Sequence, residues 1–366
     1  MVGPVPPPEG GIASVMQDII DSDLSSTYQF EVFARQPSLP GDLHSSIGRN
    51  LYRLRRFIHF LILLLRYQYY AVHIHSPDQA FIGTVIFMVL ARLARVPVLL
   101  HHHGTDWQSF YPDVSPLRQR LIRFGLLLPK CLLVLYDHWE KELIQILPNA
   151  RVQVLRNLAH DLTIPSEDAL QVVREQWGLF QDDFVVITVG SVGRRKGSFD
   201  IVNAAKVIAG QDRGIKFILV GGEELPDELS QVELALEQGR MEQSVILTGE
   251  VERSRIPWFL AAADVFLLPS YYEGMPISLI EAMRSGLAII TTPVAGIPEM
   301  ISAEETGLFV EPGSFNQIAS AVIRLKDDAI LRNKLGKNAR AAFEERFEFS
   351  RGIEQLKQIY TSLRKA

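Results

Sequence analysis

A chain of 366 residues, 47% hydrophobic and 22% charged, is long enough for two ordinary domains with their own cores, and its composition excludes a disordered protein. Its single cysteine, Cys131, excludes an internal disulfide, argues against a zinc–cysteine site and suits a reducing, cytoplasmic compartment. The net charge of −5 hides an asymmetry, because residues 43–130 hold eleven Lys or Arg against three Asp, a net +8 that leaves −13 for the rest.

A basic region with apolar runs inside it suits an anionic membrane face or a phosphate-bearing substrate. Arginines that merely cap and solvate helices give the same pattern. No transmembrane helix is predicted. Residues 57–65 are nearly all apolar, but nine residues are about half the span a bilayer needs. Arg92 and Arg95 interrupt the longer run 81–100. No secretory signal is predicted either, since the chain begins with a proline-rich turn.

In chain order, Met1-Val2-Gly3-Pro4 reads as the tail of a strand, followed by a loop that ends in Gly10-Gly11 and a helix over 12–21. Either this first strand is very short or the chain begins inside it. Gly10 and Gly11 allow close backbone approach to a ligand at the head of the helix, although a purely structural turn fits two glycines as well. Strand-like runs follow at 28–34, 71–75, 97–101, 132–136 and 152–156, with helical stretches at 49–67, 79–95 and 116–127.

After a polar stretch at 160–168 the rhythm resumes. Strands are predicted at 184–190, 216–221, 244–249, 264–268 and 287–291, and helices at 198–209, 227–239 and 253–262. This βαβ alternation predicts an α/β protein of two doubly wound, Rossmann-like domains, with the boundary near 160–170. Ligands of such sheets sit at the carboxyl ends of the strands, so a cleft between two facing sheets is expected. A final helix over 350–363 carries Ile353, Leu356, Ile359, Tyr360 and Leu363 on one face and is expected to pack back onto a domain.

Three stretches carry candidate chemistry. His101-His102-His103 ends a buried strand, with His101 and His103 on one side and His102 on the other. Three histidines suggest a metal, yet no carboxylate or cysteine stands at an obvious ligand spacing, and a histidine here serves equally as a hydrogen-bond donor. His103, before Gly104, is the residue expected to face a ligand. Second, Arg194, Arg195 and Lys196 follow Gly190-Ser191-Val192-Gly193 at the end of a strand, where a phosphate would arrive; a solvated basic turn is the bland alternative.

The third stretch runs from Glu273 through Gly274, Met275, Pro276 and Ile277 to Glu281. It follows a buried strand and enters a helix predicted over 276–285, with Gly286 to end it. The backbone N–H groups after Glu273 open at a helix N-terminus and favour an anion such as a diphosphate. As an acid/base pair for glycoside hydrolysis the two carboxylates stand poorly, roughly 8–12 Å apart along loop and helix. Distinct roles along one extended ligand fit better: Glu281 on the vicinal diol of a ribose, Glu273 on the hydroxyls of a sugar beyond the diphosphate.

The seven residues between Glu273 and Glu281, in the setting Pro-Ser-x-x-Glu-Gly-x-Pro, resemble glycosyltransferase family 4. The resemblance runs through the chain, including Gly10-Gly11, Val72-His73-Ile74-His75, His103-Gly104, Arg156-Asn157, Lys196-Gly197 and Thr306-Gly307-Leu308. It implies the GT-B fold, with an acceptor-side domain over 1–162, a nucleotide-sugar domain over 163–349, and the helix 350–366 crossing back to the first. It further implies a metal-independent, retaining hexosyl transfer, without cofactor, from a UDP- or GDP-linked sugar to a glycan or lipid-linked acceptor of cell-surface polysaccharide or glycolipid synthesis. Lys196, with Arg194 and Arg195 nearby, would contact the diphosphate, Glu281 the ribose, and Glu273 with Gly274, Met275, Pro276 and Ile277 the sugar. Gly10 and Gly11 would approach the phosphates, and His103 the transferred sugar.

One position departs from the family pattern: Ser191 stands where an arginine usually follows the strand-ending glycine. An epimerase or phosphorylase on the same frame, or a non-catalytic sugar-nucleotide-binding subunit, are the alternatives. A nicotinamide dehydrogenase is disfavoured because no G-x-G-x-x-G follows a predicted strand, and nucleic-acid binding because no recognisable module is present. The expected location is the cytoplasm, with peripheral contact at the inner, anionic face of the membrane.

Overall fold

The computed structural model describes residues 1–4, 11–34, 46–77, 81–104, 111, 114–160, 167–210 and 214–364. The chain divides into two compact units, Met1–Asn157 with Ser350–Ala366, and Leu158–Phe349. Each is built on a six-stranded sheet in which every neighbouring pair is parallel.

In the first unit the elements are β1 (Val2–Gly3), α1 (Gly11–Asp21), β2 (Phe33–Ala34), α2 (Ser46–Arg66), β3 (Val72–Ser76), α3 (Phe81–Leu93) and β4 (Val98–His102). Then follow α4 (Pro116–Leu126), β5 (Cys131–Val134), α5 (Asp137–Ile146) and β6 (Val152–Val154). The strand order is β2-β1-β3-β4-β5-β6, which reverses between β1 and β3. Every residue of β3, β4 and β5 is buried, as a parallel sheet covered on both faces requires.

The expected strand over 28–34 shrinks to two residues. Ser22 caps a 3₁₀ turn over Asp23–Ser26, and the Tyr28 N–H extends it by bonding the Leu24 carbonyl at 2.8 Å. Tyr28 then packs edge-on against Tyr70 and Tyr360 instead of entering the sheet.

The second unit contains α6 (Glu167–Gln176), β7 (Phe184–Val189), α7 (Ser198–Ala209), β8 (Ile215–Val220), α8 (Glu228–Gly239), β9 (Val245–Leu247), α9 (Ile256–Ala261), β10 (Val265–Leu268), α10 (Ile277–Arg284), β11 (Ala288–Thr291) and β12 (Leu308–Phe309). Helices α11 (Phe315–Asp327) and α12 (Ala329–Arg346) complete it. The order β12-β11-β10-β7-β8-β9 is the doubly wound dinucleotide arrangement, with its switch point between β7 and β10. One core lines a single face of the sheet, where Phe184, Phe217, Val265 and Ile290 meet Val322 and Leu335 of the covering helices.

The last helix, α13 (Phe349–Ser362), docks on the first unit. The Tyr360 hydroxyl lies 2.8 Å from His73 Nδ1, Lys130 Nζ donates to the Leu363 carbonyl at 2.6 Å, and Gln355 donates to the Val154 carbonyl at 2.6 Å. Among the described residues no helix is long and apolar enough to cross a membrane.

Candidate active site

At the switch point of the second unit, two strand-exit loops part in opposite directions. The loop after β7 carries Gly190 to Gly197, and the loop after β10 carries Pro269 to Pro276. They touch through backbone. Gly197 has φ +74°, and a Cβ there would sit 2.3 Å from the Pro269 carbonyl oxygen, so no side chain fits. The Tyr271 N–H donates to the Arg195 carbonyl at 2.8 Å, and the Arg195 guanidinium donates to the Tyr272 carbonyl at 2.9 Å. From the exit of β11, the Thr292 hydroxyl holds the Ser270 carbonyl at 2.6 Å.

This framework brings Lys196 and Glu273 together. Lys196 Nζ donates to Glu273 Oε1 at 2.5 Å, the Ser270 hydroxyl donates to the same oxygen at 2.9 Å, and Arg195 Nη1 stands 3.6 Å from it. Both Lys196 and Glu273 are buried, so the pair works at low local dielectric. Arg195 is anchored as well by Glu224. Arg194 lies apart: its guanidinium bonds Gln231 at 3.1 Å and stacks over Phe199 at 4.5 Å. Of the three consecutive cations, two therefore converge on Glu273 and one serves α8.

Helix α10 starts one residue later than the sequence predicts. Pro276 is its N-cap with extended backbone, no side chain caps it, and Gly286 at φ +70° ends it as expected. Gly274, Met275 and Pro276 are buried on the approach to the helix, Ile277 begins it, and Glu281 is buried further along the same helix. The Gly274 carbonyl accepts from the Gly296 N–H at 3.1 Å, which ties the loop to the next strand exit. Such an arrangement offers amide hydrogens at a helix start beside a lysine and an arginine, with a carboxylate on either side. It suits a diphosphate between two hydroxyl-bearing groups.

In the first unit, β4 delivers its histidines as alternation requires. The His101 and His103 rings lie tilted at 4.1 Å between centroids, while His102 turns the other way and meets Trp139 edge-on at 4.8 Å. His103 is buried, and its Nε2 lies 2.9 Å from His75 Nδ1. Burial, with His101 and His75 alongside, holds the His103 imidazole well below its ordinary pKa, so it is neutral and has one donor and one acceptor nitrogen. Gly11 opens α1, whereas Gly10 lies outside the described residues.

The sequence reading missed His75 as the partner of His103. The signal was present in the two His-x-His patterns, but only the parallel register, which pairs His75 with His101, makes them neighbours.

Two family descriptions match the chain side by side: "Glycosyl transferase 4-like domain" over residues 10–158 and "Glycosyl transferases group 1" over residues 171–342. The chain belongs to glycosyltransferase family 4. As a glycosyltransferase it is similar to the UDP-Gal:alpha-D-GlcNAc-diphosphoundecaprenol alpha-1,3-galactosyltransferase of Escherichia coli, with 26% identity over 329 residues, 85% of this chain and 80% of that protein. Solved structures place the enzyme in the GT-B fold. Sucrose-phosphate synthase from Thermosynechococcus elongatus matches with a TM-score of 0.76 at 22% identity, over 97% of this chain and 94% of that one. Anabaena HepE in complex with UDP-glucose matches with a TM-score of 0.75 at 19% identity, over 99% and 98%.

Proposed function

We propose that this glycosyltransferase moves a sugar, with retention, from a nucleoside-diphosphate donor to a lipid-linked acceptor at the inner face of a membrane. The observation that carries the donor half is the Lys196–Glu273 pair at the switch point of the second sheet. A buried lysine 2.5 Å from a carboxylate has a strong partner to exchange. When a diphosphate arrives, Lys196 turns to its oxygens, and Arg195 at 3.6 Å keeps Glu273 charge-balanced while that carboxylate accepts from sugar hydroxyls. Arg195 so supplies the second cation that Ser191 lacks. Glu281 takes the ribose diol, and amide hydrogens from Gly274 to Ile277 meet the donor. His103, neutral, hydrogen-bonds a hydroxyl of the transferred sugar. No metal is assigned to the transfer, because cations and backbone donors suffice to stabilise the departing diphosphate.

The lipid-linked acceptor is supported by the outer helices of the first unit. Helix α2 exposes Leu51, Leu54, Ile58, Ile62 and Leu65 along one stripe, and α4 exposes Leu117, Leu121 and Phe124, continued by its C-cap Leu127. Both helices pack on α3. Arg49, Arg53, Arg55 and Arg66 on α2, with Arg120 on α4, are exposed among them. Apolar stripes with flanking arginines are what an anionic lipid surface attracts. The Escherichia coli relative, by its name, uses a UDP-sugar and a diphosphoundecaprenol-linked acceptor.

Titration calorimetry with UDP, GDP and their sugars tests the donor half. UDP and a UDP-sugar bind the native chain and bind Lys196→Ala and Glu281→Ala more weakly. Equal binding to all three proteins, or to none, overturns the reading.

A further inference from the structure

We propose that His73, His75 and His101 form a site for a zinc-class divalent ion in the core of the first unit. The three side chains are buried, and one ring nitrogen from each lies within 4.8 Å of the others. The register that pairs His75 with His101, and the alternation that puts His73 two residues before His75, set all three on one face of the sheet.

The hydrogen-bond pattern points to the ion. His73 Nδ1 meets the Tyr360 hydroxyl at 2.8 Å, and His75 Nδ1 meets His103 Nε2 at 2.9 Å. The remaining nitrogens of these two, His73 Nε2 and His75 Nε2, are buried without hydrogen-bond partners, and the His101 ring has only the Leu155 backbone beside it. Metal-bound imidazoles have the division seen at His73 and His75, with one nitrogen for the ion and the other held by an outer partner. Without an occupant, the orphaned nitrogens of His73 and His75 in a sheet core each carry a desolvation penalty that an apolar residue would not.

Zn–N bonds of about 2.0–2.1 Å put tetrahedral nitrogens about 3.4 Å apart, so binding draws the three rings together from a spread of up to 4.8 Å and turns His73 and His101 out of their near-parallel arrangement. Three imidazoles leave the fourth position to water, and the cluster holds no carboxylate, which favours zinc, cobalt or copper over magnesium or calcium. The ion would tie β3, β4 and, through Tyr360, α13. It does not rest on the transfer chemistry proposed above, although His75 shares a hydrogen bond with His103.

The test uses the full chain, stripped with chelator and dialysed against zinc or cobalt. One equivalent of zinc by elemental analysis, a tetrahedral cobalt spectrum and a melting temperature raised by several degrees are expected. His73→Leu and His101→Leu, checked for folding by circular dichroism, lose all three signals. Tyr360→Phe, which keeps the core packing, weakens zinc roughly 10–100-fold. His138→Gln, at a surface His138–Glu142 pair, changes nothing. Substoichiometric zinc and no tetrahedral cobalt band in the native chain overturn the site and leave a buried water as the occupant. Retention of both signals in folded His101→Leu overturns it as well.

Discussion

Lys196 and Glu273 lie seventy-seven residues apart in the chain and share a 2.5 Å hydrogen bond where β7 and β10 separate. Removing one partner leaves the other charge buried. For an isolated buried pair that costs about 3–5 kcal/mol; here Arg195 beside Glu273 reduces the cost. Lys196→Ala is expected to lower the melting temperature and to weaken UDP binding about 10- to 100-fold, the value of a charge-assisted hydrogen bond. The double substitution Lys196→Met with Glu273→Leu regains stability without regaining UDP affinity. Calorimetry and thermal melts on the three variants separate the two effects.

Glu281 is expected to recognise a ribose. Its substitution by Gln weakens UDP about tenfold, as for one hydrogen bond to a charged group. The sharper readout is 2′-deoxy-UDP. If Glu281 holds the diol, the native enzyme discriminates UDP from its deoxy form and Glu281→Gln does not. Undiminished discrimination in the variant removes the assignment.

The buried histidines make the metal-free chain acid-labile. Burial, with His102 beside it, pushes the His101 pKa down to about 3 from 6.5, and His73, His75 and His103 are also held well below the ordinary range. The unfolded chain takes up these protons below about pH 6.5 and the folded chain does not. Stability is therefore intact above pH 6.5 and falls as pH drops from there toward 3, by about 1.4 kcal/mol per pH unit for each histidine kept neutral. Melts in chelator between pH 7.5 and 5 should show a decline that is shallower in His101→Leu. An identical slope in the variant contradicts the account.

The exposed stripe of α2 should bind anionic lipid. Flotation with phosphatidylglycerol vesicles is expected to recover the enzyme at low ionic strength and progressively less as salt rises. Leu54→Glu with Ile58→Glu, both at exposed positions, abolishes recovery without changing the melting temperature. Recovery that is insensitive to both salt and substitution excludes this surface.

Much of the fold could be read from the chain because its parallel strands are continuous apolar runs bounded by glycine and proline. The elements around the donor loops came within a residue or two of the structure: α7 matches over Ser198–Ala209, and α10 starts at Ile277 where Pro276 was expected. Helix α12 escaped because its sequence is mostly polar and only Leu335, Gly336, Ala339 and Phe343 are buried along eighteen residues. The two-residue strands β1, β2 and β12 are too short to carry any period.

At the site, local motifs named Lys196, Glu273 and Glu281, but not which arginine faces Glu273. That choice depends on Glu224 and Gln231, residues of other segments that draw Arg195 one way and Arg194 the other. The histidine cluster was half visible for the same reason. His101 and His103 share one strand, while His73 and His75 join them only through strand pairing.

The central claim, that the paired loops of the second sheet hold a nucleotide-sugar for transfer, is tested most directly by a donor screen. UDP- and GDP-sugars are offered to the enzyme with a polyprenyl-diphosphate-linked acceptor extract, and the products are read by mass spectrometry. The account predicts an acceptor heavier by one hexosyl-type unit, with the anomeric configuration of the donor, and its loss in Lys196→Ala. A sugar nucleotide converted without any acceptor, or transfer undiminished in Lys196→Ala, would contradict it.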